Sequence, residues 1–214
     1  MSDSPLLLLA STSSSRRKIL DDTGFAYTTL SPLVDEHAAV AEERALGREL
    51  TPRDEAQLLA DAKATAAASR PEASGRLVLG CDSVFEFDGA AYGKPLDAED
   101  AASRWKAMRG GVGVLHTGHT LVDTRESPAP SVSATVSTRV RFAEITDEEI
   151  QAYVATGEPL PCAGAFTVDG RAAAFVTGLE GDFHAVVGLS VAALRTLAAE
   201  CGVPVTDLWA PTGA

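Results

Sequence analysis

Five consecutive hydroxyl residues, Ser11 to Ser15, stand between an apolar run and a stretch that opens with Arg16 and Arg17. A helix beginning here would present free N–H groups and a partial positive charge, both of which attract phosphate. The hydroxyls add donors, and an arginine in the first turn adds a bidentate cation. The spacing GxxxxGK[ST] of a P-loop is absent. The same residues also suit a hydroxyl-rich capped turn with surface arginines.

Asp82 lies inside Leu77-Val78-Leu79-Gly80-Cys81-Asp82-Ser83-Val84-Phe85. A carboxylate within a buried strand is costly unless it is paired, protonated or bound to a metal. The apolar surroundings favour a functional role over a structural salt bridge or cap. Gly80 leaves room for a ligand or another backbone to approach. Lys94, in Tyr92-Gly93-Lys94-Pro95, follows a hairpin that can return it towards Asp82, although a solvated turn lysine is the commoner case. Lys63 stands among alanines, pointing either to solvent or across a site. Asp35 and Glu36 follow an extended segment, where they are either a solvated acidic loop or partners of Asp82 around a divalent cation.

Other reactive residue types are read as structural. His116 and His119 are three apart on a predicted strand and so project to opposite faces. HExxH and the other zinc spacings are missing, and His37 and His184 stand alone; all four histidines are read as non-ligands. Cys81 is read as a small buried strand residue rather than a nucleophile. Ser190, in Gly188-Leu189-Ser190, lacks the second glycine of a nucleophile elbow and makes a better helix N-cap.

These side chains need an α/β scaffold. Strand-like runs are expected at Leu6–Ala10, Thr28–Val34, Leu77–Phe87, Val112–Thr124 and Ser131–Phe142. Phe166–Gly188 is expected to hold two or three short strands. Helices are predicted from about Ser15 to Thr23, from Thr51 to about Ser69, from Asp97 to Gly110, from Thr146 to Gly157 and over Leu189–Cys201. The acidic stretch Asp35 to Arg53 has weak pattern and reads as partly loop. Asp88-Gly89 signals a hairpin.

The chain has 214 residues, 45% of them hydrophobic and 22% charged, as in ordinary globular proteins. One domain, 1–214, is expected, with residues 210–214 as a frayed tail. Its net charge of −12 disfavours a nucleic-acid backbone or an anionic lipid surface as partner. No run approaches a membrane span, and Leu6 to Ala10 is too short for a signal-peptide core. Three cysteines with no CxxC point to a reducing, cytoplasmic setting. An anionic substrate would be held by a few local cations against the global field.

Taken in order, Leu9-Ala10-Ser11-Thr12-Ser13-Ser14-Ser15-Arg16-Arg17, Gly80-Cys81-Asp82-Ser83-Val84 and Gly93-Lys94-Pro95 resemble the signatures of Maf-type nucleoside triphosphate pyrophosphatases. So do Thr117-Gly118, Tyr153 to Pro159, Cys162 to Phe166, and Val186-Val187-Gly188-Leu189-Ser190. The resemblance implies a mixed, strongly twisted α/β sheet flanked by helices, with a deep cleft between two lobes (Maf/ITPase-like). It implies a cytoplasmic, metal-dependent homodimer that hydrolyses a nucleoside triphosphate to the monophosphate and pyrophosphate, in nucleotide-pool housekeeping and, in some bacteria, septum formation.

Carried over by the resemblance, Asp82 is the proton acceptor, and Ser11, Arg16, Lys63 and Lys94 bind phosphate. Glu36 completes the site and, with Asp82, would hold Mg²⁺ or Mn²⁺. The base-reading positions correspond to Ser15, Ser83 and Asp169, which match neither the pyrimidine-specific pattern nor that of the branch acting on methylated guanosine triphosphate. Small Ser15 leaves room for a base, and Asp169 would accept from a base with amino or imino donors. The competing reading is a non-catalytic nucleotide-sensing regulator of cell division. A phosphatase of the DxDx[TV] type is disfavoured because the second aspartate is missing.

Overall fold

The computed structural model describes residues 4–211. Strand β1 (Leu7–Ala10) is apolar throughout because both of its faces are covered. Leu7 and Leu9 pack with Ile19, Leu20 and Leu194, while Leu8 and Ala10 pack with Ala64 and Ala67. Ser13 caps helix α1 (Ser14–Asp22), its hydroxyl accepting from the Arg16 N–H. The extended stretch expected over Thr28–Val34 contracts to strand β2 (Tyr27–Thr29).

The acidic stretch expected to be partly loop contains helix α2 (Glu36–Ala45). Asp35 caps it, Oδ1 accepting from the Ala38 N–H at 2.9 Å. Its apolar periodicity is weak because only Val40 is buried, so the cap and the helix-forming alanines and glutamates specify it instead.

Helix α3 (Pro52–Ala68) begins with a reciprocal capping box between Thr51 and Asp54. Ala56, Ala60 and Ala64, spaced by four, are fully buried against the sheet. The sheet answers with Gly80 and Gly118. A Cβ at Gly80 would overlap the Ala60 carbonyl oxygen and lie 2.6 Å from Ala64 N; one at Gly118 would lie 2.7 Å from Gln57 Cα. The approach for which Gly80 leaves room is that of the α3 backbone.

Strand β3 (Leu77–Phe87) turns at Asp88-Gly89, both with positive φ, into β4 (Ala90–Tyr92). Helix α4 (Ala98–Met108), strands β5 (Val112–Asp123) and β6 (Ser131–Phe142), and helix α5 (Asp147–Ala155) follow. Trp105, Phe85, Phe142 and Phe166 form an aromatic core at this end. Trp105 Nε1–H donates to the Ala165 carbonyl at 2.8 Å.

The region Phe166–Gly188 holds one strand, β7 (Val176–Glu180), not two or three. It is preceded by a 3₁₀ turn over Arg171–Phe175 and followed by short helix α6 (Phe183–Val187). Glu158 Oε1 accepts from Thr167 Oγ1 and from the Arg171 N–H, both at 2.8 Å, which draws that backbone into a turn instead of a ladder. Helix α7 (Val191–Glu200) is capped by Ser190, as expected. Ala210 N–H donates to the Gly24 carbonyl at 2.7 Å; the end of the expected frayed tail, 212–214, lies outside the described residues.

The sheet runs β2-β1-β3-β5-β6-β7, with β4 also pairing with β3. β1 is parallel to β2 and β3, and the remaining pairs are antiparallel, giving a mixed sheet flanked by helices.

Candidate active site

The site forms where one edge of β3 loses its partner. β1 ends at Ala10, opposite Gly80, and β4 joins that edge only at Phe85. Cys81 to Val84 therefore pair with β5 alone. Side chains alternate along this free stretch. Asp82 meets α3 on one face, and Ser83 meets α1 on the other.

On the α3 face, Lys63 Nζ lies 2.5 Å from Asp82 Oδ1 and 2.8 Å from Glu36 Oε1. The Lys63 and Asp82 side chains are 9% and 11% exposed, whereas Glu36 is half exposed. Burial pushes the Asp82 carboxyl above its usual range; Lys63 and Arg16 pull it down without cancelling the rise, and Glu36 adds to it. Burial acts the same way on Glu36, but Lys63, Lys94 and Arg16 together outweigh it and hold that carboxyl below its usual range. Two neighbouring carboxyls are thus driven apart, one towards permanent ionisation and the other towards taking up a proton.

On the opposite face, buried Arg16 is held by three of its five N–H groups. Nε donates to the Gly188 carbonyl at 2.8 Å, and Nη1 and Nη2 donate to Ser11 Oγ and Ser83 Oγ, each at 3.4 Å. One N–H on each terminal nitrogen remains for a ligand. Ser83 Oγ lies 2.9 Å from Thr117 Oγ1, which donates to the Ala185 carbonyl at 2.8 Å. Thr117 has a single hydroxyl proton, so Ser83 donates to Thr117 and accepts from Arg16.

The remaining residues of the sequence-derived set are less tightly drawn in. Lys94 is exposed, and its charge is felt by Glu36. Its backbone is fixed at Gly93, whose carbonyl accepts from Arg104 Nη1 at 2.6 Å. Ser15 is half-buried in the first turn of α1, and Asp169 is exposed on a turn where its charge reaches Lys18 and Cys162. Cys81 is fully buried, and burial pushes its thiol up to about 12, which suits packing and not nucleophilic attack. His116 and His119 do face opposite ways: His116 bonds Glu86 and Ser137, and His119 meets Ser190.

Sequence reasoning gave no role to Gly188 or Thr117. Both stand in quoted motifs, but a backbone carbonyl aimed at Arg16 and a hydroxyl bracing Ser83 leave no side-chain signature of chemistry.

The family model described as Maf-like protein matches residues 6–201. The chain belongs to the Maf family. A Maf relative from Streptomyces coelicolor, named nucleoside triphosphate pyrophosphatase, is 52% identical over 96% of this chain and 95% of its own length. Relatives of the same name from Salinispora tropica and Parasynechococcus marenigrum are 50% and 45% identical, over 95% and 90% of this chain and 87% and 94% of their own lengths. The Maf assignment thus spans both halves of the site, from Ser11 and Arg16 to Gly188.

Proposed function

We propose that this protein hydrolyses nucleoside triphosphates to the monophosphate and pyrophosphate. One observation carries the reading: a carboxyl raised by burial and a caged arginine flank the same stretch of β3, free along one edge, one on each face. The names of its Maf relatives supply the reaction.

In this reading the α1 N-terminus, Ser11 and the two spare N–H groups of Arg16 grip phosphate oxygens. Lys63 and Lys94 add the charge that an acidic protein needs to hold a polyanion. Asp82 accepts a proton from the water whose oxygen attacks the α-phosphorus. The bond from that phosphorus to the bridging oxygen breaks, and pyrophosphate leaves with the bridging oxygen.

The donor set fits a hard divalent cation. Glu36 and Asp82 converge on one ammonium, and Mg²⁺ is typically held by one or two carboxylates, with phosphate oxygens and water completing its shell. Held by Glu36 and Asp82, Mg²⁺ or Mn²⁺ would offset the charge on the phosphate oxygens. Ser15 and Asp169 are our candidates for reading the base. Ser83, assigned with them by resemblance, has its hydroxyl engaged by Arg16 and Thr117, which favours a bracing role.

A homodimer in a reducing cytoplasm belongs to the same proposal. All three cysteines are free, and no helix among the described residues is long and apolar enough to cross a membrane.

The test is pyrophosphate release from a panel of ordinary and modified triphosphates, with Mg²⁺, Mn²⁺ or chelator, beside Asp82→Asn. Cation-dependent release that disappears in the variant supports the reading. Triphosphate binding without release from any member of the panel overturns it in favour of a sensor, and orthophosphate as product would make the protein a phosphatase.

A further inference from the structure

His119 is completely buried in β5, yet nothing in the proposed chemistry uses it. A leucine would pack there without desolvating two ring nitrogens. The ring is instead spent on one backbone donor: the Ser190 N–H donates to His119 Nε2 at 2.8 Å. Nε2 is therefore the bare nitrogen, and Nδ1 carries the proton, directed at the Ala134 carbonyl 3.3 Å away.

The segment held in this way is the one that orients Arg16. The amides of Gly188 and Leu189 both donate to the His184 carbonyl, at 2.9 and 3.0 Å, which leaves the buried Ser190 N–H without a backbone acceptor. His119 supplies that acceptor. Two residues earlier, the Gly188 carbonyl receives Arg16 Nε–H at 2.8 Å, with Gly188 at φ 135, a conformation open to glycine. Only fully buried Leu189 separates the two bonds. Taking away the acceptor leaves a buried amide to find another partner, and any rotation that serves it re-aims the neighbouring carbonyl.

We infer that His119 is a positioning residue for the phosphate site, acting through Ser190 N–H and the Gly188 carbonyl to hold the Arg16 guanidinium in register. This rests on the reading that Arg16 grips phosphate. Burial supports it by keeping the ring neutral, with its pKa lowered to about 4 although the Ala134 and Thr117 carbonyls and Asp182 favour the proton; Arg16 opposes it.

The test is steady-state pyrophosphate release and equilibrium triphosphate binding, with divalent cation, for His119→Leu, His119→Gln, Arg16→Lys and the two double variants. Thr146→Ala, which loses a cap of α5 outside this network, controls for lowered stability. His119→Leu is expected to raise KM and Kd about tenfold with kcat within about threefold, the scale of one misaligned charge-assisted contact. His119→Gln, whose amide oxygen can accept from Ser190, is expected to stay within about threefold of the parent KM. In the Arg16→Lys background, already weakened, His119→Leu should add nothing. Should His119→Leu not fold, His119→Asn, too short to reach Ser190, carries the same expectation.

An unchanged KM in His119→Leu beside an impaired Arg16→Lys overturns this inference alone. Equal losses in both backgrounds, or a matching KM rise in Thr146→Ala, also overturn it, because they reduce His119 to a core residue. An Arg16→Lys protein with normal KM and Kd overturns the phosphate reading of Arg16 and this inference with it.

Discussion

Lys63 and Asp82 form a buried ion pair, Nζ 2.5 Å from Oδ1, and Glu36 closes the lysine's other side at 2.8 Å. One ammonium thus holds two carboxyls of opposite tendency in place. Asp82→Asn keeps the shape and leaves Glu36 to neutralise Lys63. The expected result is a folded protein with turnover reduced by about 10²- to 10⁴-fold, the usual worth of a positioned base. Pyrophosphate release alongside a thermal melt checks it; near-normal turnover would remove Asp82 from the mechanism.

Lys63→Met strands the same two carboxyls without a cation. Breaking a buried pair in this way costs about 3 kcal/mol, so this variant should lose both stability and activity. Urea denaturation separates the outcomes: a variant as stable as the parent would mean that the pair contributes little to folding.

Gly80 lies where α3 crosses β3. A Cβ there meets backbone, at the Ala60 carbonyl and at Ala64 N 2.6 Å away, and backbone cannot swing aside like a side chain. Gly80→Ala should therefore destabilise the protein by about 3 kcal/mol and push α3, with Lys63 on it, away from Asp82. Calorimetry and turnover are expected to fall together; a melt unchanged from the parent would contradict this packing.

Gly188 adopts φ 135, and an added Cβ would stand 3.5 Å from Arg16 Nε. Gly188→Ala introduces backbone strain of about 1–3 kcal/mol and turns the carbonyl that receives Arg16. A raised KM for triphosphate with a smaller change in kcat is expected from initial-rate measurements. A variant impaired only in kcat would place the fault elsewhere.

The buried, neutral His119 makes stability depend on pH. Its folded pKa of about 4 lies below the ordinary value of 6.5, so on acidification the unfolded chain takes up the proton first. The penalty is absent above that ordinary value, grows as pH falls through it, and is complete below about pH 4. Between about pH 7.5 and pH 5.5 this group alone should remove about 1.3 kcal/mol. Parallel urea titrations of the parent and His119→Gln should show this difference in slope; identical slopes would mean that the ring takes up its proton as readily in the folded protein as in the unfolded chain.

Much of the fold can be read from local patterns. Thr51-Pro52 with Asp54, Asp97, and Thr146 with Glu149 mark helix starts through short-range capping, and Leu77–Phe87 runs unbroken because both of its faces are buried. The acidic α2 escaped such reading because it buries only Val40, and Phe166–Gly188 because Glu158, distant in sequence from its end, folds it into a turn.

For the site, residue type was sufficient to single out Asp82, whereas Arg16 and the serine turn suited an ordinary capped turn as well and were assigned to the site by the resemblance. A carboxylate in an apolar strand violates the rules of burial wherever it occurs, whereas a cation at a helix start only opposes the helix dipole and is ordinarily solvated, as Arg17 is. What the sequence could not decide was partnership: that Lys63 joins Glu36 to Asp82, that Ser83 braces Arg16, or that a carbonyl at Gly188 aims it. Those contacts cross between 19 and 172 residues of chain. They arise because β1 stops at Ala10, where the serine turn and the Ser13 cap begin α1, while β3 continues to Phe87. The end of β1 is local, but which residues meet across the freed edge is decided by the packing of α1 and α3 against it.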